Sequence, residues 1–167
     1  GAAPGSPGYT PRWPERLRDG YRDFKILQCP SDNPDNPPAS NVDPADKVPR
    51  TYIINGWNDY FKETMPNFSM GAIENQSGRD NAIRFASETI MFGEKKPNSQ
   101  HYYMDLEEGK GNDYEELNQA RHLSGGGSNY SFADGSVKLL KLWRSVGPEL
   151  NLWAITAAGR TNYAFSF

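Results

Sequence analysis

The segment from Arg121 to Val137, RHLSGGGSNYSFADGSV, constrains the fold of this chain more than any other, because it encodes a β-hairpin together with its turn. Asp134 and Gly135 form a dipeptide that two-residue hairpin loops favour, since such a loop needs positive φ at both central positions. The turn therefore predicts two antiparallel strands, one on each side of this dipeptide.

The predicted register decides which side chains share a face of the hairpin. A two-residue loop pairs Phe132 with Val137 and Tyr130 with Leu139. Because side chains alternate along a strand, all four apolar residues then point to one face. We expect this face to pack against another segment or chain, and to be partly exposed where that partner is missing. We expect the second strand to run to about Trp143.

Apolar alternation predicts further short strands over 51–57, 88–94 and 101–106, with Ile90 and Phe92 on one face. Strands of this length leave much of the chain to loops and helices. The pattern favours an α+β fold with an antiparallel β-sheet, short helices and long irregular loops.

Helical spacing of apolar residues predicts a short helix over 14–23, followed by a short extended run over 24–29. Residues 30–49 alternate proline with Asx and are predicted to be a long loop. A second helix is expected to begin at Pro148, because proline is tolerated in the first turn.

Length and composition set the domain organisation and exclude some functions. At 167 residues, we predict a single globular domain over 13–167, preceded over 1–12 by a disordered linker or tag remnant. A formal charge of −3 argues against a nucleic-acid surface. No segment approaches the roughly 18 apolar residues needed to cross a bilayer, so the polypeptide as given is expected to be soluble.

Four motifs follow one another in the chain: a CPSD element from Cys29, a TYIING strand from Thr51, an SETIMFGE strand from Ser87, and the hairpin segment that begins with Arg121-His122. In this order they resemble the prepilin-type proteins related to type II secretion pseudopilins, whose C-terminal signature is His-x9-Asp-Gly. The residues that carry the match are Cys29, Pro30, Asp32, Asn55, Gly56, Glu94, His122, Asn129, Tyr130 and Phe132.

The resemblance extends from about Trp13 to Trp153, with one departure. Eleven residues, where the signature has nine, separate His122 from Asp134. The additional residues lengthen the Gly-rich loop, so the signature does not fix the geometry between these two side chains.

The resemblance implies a non-enzymatic subunit of a type II secretion or type IV pilus-like filament. The globular part would be a pseudopilin-like head in the periplasm or cell envelope, held at the inner membrane only by an N-terminal helix that has been removed from this chain. Its partners would be other pseudopilin-like subunits and secreted cargo. Because the missing helix would pack on the sheet, we also expect the head alone to form a homodimer through that face.

Cys29 is the only cysteine, and its role stays open. The resemblance implies a second cysteine in the missing helix as its partner. A half-buried cysteine that acts as a small apolar residue is an equally favoured interpretation.

His122 and Asp134 are the most evident candidates for acid–base chemistry, since a carboxylate can orient an imidazole. However, the turn already accounts for Asp134, and no serine or cysteine lies in a recognisable nucleophile motif. A structural role is therefore the favoured interpretation, and a small hydrolase using His122 ranks last among the functions considered.

Calcium is the cofactor that the sequence favours most, because it needs six to eight oxygen ligands on a loop. Neither of two oxygen-rich loops matches an EF-hand, and acidic loops are usually only solvated. One loop contains Asp105, Glu107, Glu108, Asp113 and Glu115; the other contains Asp32, Asp35 and Asp43. Among these, Asp105, Glu107 and Asp113 are the candidates retained. A transition-metal site is less favoured, because His101, His122 and Cys29 are the only residues of their kinds.

A secreted carbohydrate-binding module is the alternative function. It would use a platform of exposed aromatic rings, with Trp57, Trp143 and Trp153 as candidates, together with a loop calcium. Burial in the core is the default expectation for these rings.

Overall fold

The computed structural model describes residues 10–39, 41–74, 76–107, 114–122 and 126–165. A five-stranded sheet with the strand order β3-β1-β2-β4-β5 organises this part of the chain. The strands are β1 (Tyr52–Asn55), β2 (Ile90–Glu94), β3 (Tyr103–Met104), β4 (Gly127–Phe132) and β5 (Val137–Lys141).

The α-helices are short, at four to seven residues. They are α1 (Trp13–Arg16), α2 (Asn58–Thr64) and α3 (Ala157–Asn162), and single 3₁₀ turns cover Arg18–Gly20, Phe24–Leu27, Asp80–Ala82, Ala86–Glu88 and Tyr114–Glu116. The predicted α+β class is confirmed. Three strand pairings are antiparallel as expected, whereas β1 and β3 pair in parallel, so the sheet is mixed.

The predicted helices are only partly right. Helix α1 ends at Arg16, after which a 3₁₀ turn takes over, and the expected extended run over 24–29 is also mainly 3₁₀. At the other end the helix begins at Ala157, where the Thr156 hydroxyl caps it by accepting the Gly159 N–H, rather than at Pro148. The 30–49 segment is irregular, as predicted.

The hairpin is present, but its loop has three residues rather than two. The Gly135 N–H donates to the Phe132 carbonyl (3.0 Å) and the Phe132 N–H to the Ser136 carbonyl (2.8 Å). Within this loop only Gly135 has a positive φ (84°), so Asp134 adopts an ordinary turn conformation. This is a type I turn closed by a left-handed glycine, a loop that also suits Asp-Gly.

The longer loop shifts the register by one residue and corrects the predicted face. Val137 pairs with Ser131 and Leu139 pairs with Asn129. Because side chains alternate along a strand, Val137 and Leu139 point to the face opposite that of Tyr130. Tyr130 is therefore 2% exposed in the core, while Val137 is 67% and Leu139 45% exposed on the other face. The prediction that all four apolar side chains share one face is wrong.

A second irregularity lies in β2, where the register with β4 shifts between Ile90 and Phe92. Ile90 packs in the main core with Tyr130, whereas Phe92 packs against Trp13 on the opposite side of the sheet. Such a bulge turns the strand locally. The prediction that Ile90 and Phe92 share a face is wrong for this reason.

Both faces of the central strands are covered by the chain itself. The C-terminal segment covers one face, with Trp153 fully buried and edge-on to Tyr130 at 6.2 Å between ring centroids. The N-terminal segment covers the other face, where Trp13 contacts Phe92 at 5.2 Å. Only the outer part of the sheet at β5 leaves large apolar side chains in solvent on this second face.

Gly93 is the point at which β2 approaches the Trp153 segment most closely. A Cβ atom there would lie 2.7 Å from the Trp153 ring and 2.9 Å from the Tyr130 ring. We expect Gly93→Ala to destabilise the protein by about 1–3 kcal/mol, because a rigid core cannot make room for the methyl group. Urea unfolding of the variant measures this loss.

Gly20→Ala is the matched control, since no atom lies within 4 Å of a Cβ at that position. We expect its stability to equal or slightly exceed that of the wild type. An unchanged stability of Gly93→Ala would contradict the described packing of Trp153.

Candidate functional site

Residues from three of the four motifs meet in one buried cluster, on the sheet face that Phe92 shares. Cys29 and Asp32 come from the loop after the second 3₁₀ turn, and Glu94 ends β2. Arg121 and His122 come from the segment that precedes β4. We call these five residues the motif cluster.

Glu94 lies at the centre of the motif cluster, with its side chain 1% exposed. One carboxylate oxygen is 2.7 Å from His122 Nε2, and the other accepts the Asn129 N–H at 2.9 Å. The carboxylate thus accepts a hydrogen bond from the backbone of β4 at the point where β2 ends. Both oxygens of this buried group are satisfied, as burial of a charge requires.

Arg121 and Asp32 form an ion pair beside Glu94, with side chains 5% and 1% exposed. Arg121 also donates to the Lys95 carbonyl at 2.7 Å, and its Nε lies 3.7 Å from Glu94 Oε1. The second oxygen of Asp32 accepts the Thr51 hydroxyl at 2.8 Å. The loop that carries Asp32 is thereby fixed to the segment before β4, through Arg121, and to the residue before β1.

Cys29 completes the motif cluster from the same loop. Its N–H donates to the Thr51 hydroxyl at 2.9 Å, and its Sγ lies 3.7 Å from His122 Nε2. The thiol and Glu94 therefore both approach the same nitrogen of the imidazole. A nucleophilic triad needs the nucleophile on one ring nitrogen and the carboxylate on the other, so the geometry does not match that chemistry.

Two ionisable groups flank the motif cluster and have shifted pKa values. Burial raises the pKa of the Tyr52 hydroxyl, and the neighbouring Cys29 and Glu94 raise it further. Burial lowers the pKa of Lys95 to about 8, with Arg50 adding to the effect. The Lys95 ammonium donates to the Ser99 carbonyl at 2.7 Å, away from the cluster.

The structure separates His122 from Asp134. The carboxylate partner of His122 is Glu94, whereas Asp134 lies in the hairpin loop beyond the far end of β4. There its Oδ1 accepts the Ser136 N–H at 2.9 Å and the Ser136 hydroxyl at 2.7 Å, and these bonds lower its pKa. Asp134 and Gly135 both lie in the hairpin loop, although that loop is one residue longer than the one predicted.

The remaining motif residues have structural positions. The Asn55 amide donates to the carbonyls of Ile90 (2.8 Å) and Trp153 (2.6 Å), which ties β1 to the C-terminal segment. Pro30 is exposed at the turn after Cys29. Tyr130 and Phe132, discussed above, are core residues.

The calcium candidates do not assemble in the described part of the chain. Lys62 binds both carboxylate oxygens of Glu107, at 2.9 and 3.0 Å, and Asp105 lies against Gly56. Asp113 lies outside the described residues. Among the described residues, the one group of three side chains whose ligand atoms could hold a metal ion is Cys29, Glu94 and His122.

A groove of about 520 Å³ lies at the other end of β1, away from the motif cluster. Gly56 and Asp105 line it, together with Trp57, which has a left-handed backbone (φ 61°) and packs over Gly78. Of the other rings considered for a sugar platform, Trp153 is fully buried. Trp57 and Trp143 each line a groove, since Trp143 borders a second groove of about 530 Å³ beside Tyr114.

Comparison of the chain with known protein families, with curated proteins and with solved structures found no match. The resemblance to pseudopilin-like proteins therefore stays a prediction. No helix in the described ranges combines the length and apolar character that a membrane span requires.

The Asp32–Arg121 pair yields a sharp prediction on stability. Arg121→Met leaves Asp32 buried without its counter-ion, so we expect a loss of about 3–5 kcal/mol in the free energy of unfolding. The double variant Asp32→Asn/Arg121→Met should lose less than the sum of the single changes, and chemical unfolding of all four proteins measures this coupling.

Lys62→Met is the control, because Lys62 is 54% exposed in its pair with Glu107. We expect it to cost at most about 1 kcal/mol. If Arg121→Met cost no more than Lys62→Met, the motif cluster would not have the structural role described here.

Proposed function

We propose that this chain is the head of a non-enzymatic, pseudopilin-like protein of the cell envelope, and that it works through contacts with neighbouring subunits or secreted cargo. The observation that most supports this proposal is that the motif residues Asp32, Glu94 and Arg121 join three distant segments inside one buried network. Motif residues with this arrangement maintain a fold rather than present reactive groups to a substrate.

The surface that supports assembly is the outer face of β5. Val137 and Leu139 project there from alternate positions, 67% and 45% exposed. In the described sheet β5 is also an edge strand, paired only with β4. Exposed apolar side chains on an edge strand are typical of surfaces that bind another chain.

The chain's own covering of the sheet limits where a packing helix could lie. Tyr130 and Phe132, which the sequence predicts to face the missing helix, are already covered on the Trp153 side. On the opposite face, Trp13 covers Phe92 but not β5. A helix or a neighbouring subunit would therefore contact Val137 and Leu139.

The decisive experiment is to recover the natural full-length gene product, fractionate the cells, and determine its mature N-terminus by mass spectrometry. We expect a membrane-bound species with a methylated aromatic first residue, followed by about 20 apolar residues. A soluble exported protein released from an ordinary cleaved signal peptide would contradict the proposal and favour a carbohydrate-binding module at the Trp57 groove.

The β5 surface is tested by the double variant Val137→Lys/Leu139→Lys. Because both side chains are exposed, we expect the stability to change by no more than about 0.5 kcal/mol per site. Sedimentation of the purified protein measures association between heads, and cross-linking in cells measures contact between full-length subunits. We expect the variant to lose both, since two charges cannot be buried in an apolar contact.

Leu150→Lys is the matched control, because Leu150 is also exposed (39%) but lies outside the sheet. It should leave association unchanged. Wild-type association by the Val137→Lys/Leu139→Lys variant would rule out this surface.

A further inference from the structure

The side chains of Cys29, Glu94 and His122 offer a thiol sulfur, a carboxylate oxygen and an imidazole nitrogen within 4.8 Å of one another. We propose that these three residues bind a zinc ion, with a water molecule or an exogenous ligand in the fourth position. Sulfur, nitrogen and carboxylate oxygen are the ligands that Zn²⁺ takes in proteins. The inference goes beyond the proposed assembly function and does not depend on it.

The separation of the ligand atoms fits this ion. Tetrahedral Zn²⁺ with bonds of about 2.3 Å to sulfur and about 2.0 Å to nitrogen holds these two ligands roughly 3.5 Å apart. Cys29 Sγ and His122 Nε2 are 3.7 Å apart. Glu94 and His122, now 2.7 Å apart, would need to separate by about 0.6 Å to become two ligands of one ion.

The surroundings hold the ligands in place. The Asn129 N–H binds one oxygen of Glu94 and leaves the other directed at His122. Thr51 fixes the backbone of Cys29. Outer contacts of this kind orient ligands and raise metal affinity. His122 is 20% exposed, whereas Glu94 is 1% exposed, so the imidazole side gives the ion a route from solvent.

The charges of the motif cluster also balance with the ion present. A Cys29 thiolate and the carboxylates of Glu94 and Asp32 would be neutralised by Arg121 and a divalent cation. Arg121 does not displace the cation, because its guanidinium is paired with Asp32. The Arg121 Nε is buried, makes no hydrogen bond to a described residue, and lies 3.7 Å from Glu94 Oε1. From this position it can help to hold the carboxylate.

Cobalt titration of the metal-free protein tests the site directly. After treatment with a chelator, Co²⁺ should bind with one ion per chain and produce a thiolate-to-metal charge-transfer absorption, which an excess of Zn²⁺ then removes. Cys29 is the only cysteine, so this absorption can come from no other residue. A wild-type protein that binds no Co²⁺, or binds it without this absorption, would overturn the proposal.

Two variants assign the ligands. Cys29→Ser should abolish the charge-transfer absorption, and His122→Gln should weaken Zn²⁺ binding by at least about 100-fold, more than outer contacts usually contribute. His101→Gln is the matched control, because His101 is a partly exposed histidine outside the cluster. Equal weakening by His101→Gln and His122→Gln would exclude the site.

Thermal unfolding gives a readout that does not depend on the spectrum. Zn²⁺ should raise the Tm of the wild type and of His101→Gln, because the ion binds the folded state. It should leave the Tm of Cys29→Ser unchanged. If that variant fails to fold, as its circular dichroism will show, the wild-type Co²⁺ spectrum alone decides the question. The same Tm shift in a folded Cys29→Ser would overturn the proposal.

Discussion

The buried Glu94 carboxylate is the group on which the arrangement of this chain depends. A carboxylate removed from water must be compensated where it lies, and its partners here are the His122 ring, the Asn129 N–H and the nearby Arg121. Arg121 in turn requires Asp32. The desolvation of one side chain is therefore offset only when the N-terminal loop, β2 and the segment before β4 come together.

The length of the hairpin loop determines which apolar side chains of β5 lie on the surface of the protein. With a two-residue loop, Val137 and Leu139 would join Tyr130 in the core. The three-residue loop turns them to the other face, and tertiary contacts select it, since the N–H groups of Ala133 and Asp134 donate to carbonyls in the segment before β2. The exposed apolar surface of β5 is thus a consequence of where the hairpin loop is anchored.

The sequence was sufficient for features that depend on local patterns. Alternation and turn residues predicted the α+β class, the strand positions and the hairpin, because these depend on neighbours in the chain. The face of Val137 and the bulge between Ile90 and Phe92 could not be predicted, since each is set by packing against distant segments. The same holds for the helix expected from Pro148, whose place is taken by the turns that bury Trp153.

The candidate site was visible in the sequence as motifs but not as an assembly. The motifs contain Cys29, Glu94 and His122, yet the sequence pairs His122 with Asp134 and makes a transition metal the less favoured ion. The motifs alone do not show that Cys29, Glu94 and His122 meet, because that depends on the folding of three distant segments onto one another. A usable signal was charge: Asp32 and Arg121 are opposite charges in separate motifs, and they form the ion pair that closes the cluster.

The motif cluster and the β5 surface are also physically connected. Asn129 donates its N–H to Glu94, and in the next strand it pairs with Leu139. The backbone of Asn129 therefore takes part both in the hydrogen bond to Glu94 and in the strand pair with Leu139. Packed interiors transmit small shifts rather than absorb them. We therefore expect the position of the Glu94 carboxylate and the geometry of β5 to be coupled through Asn129.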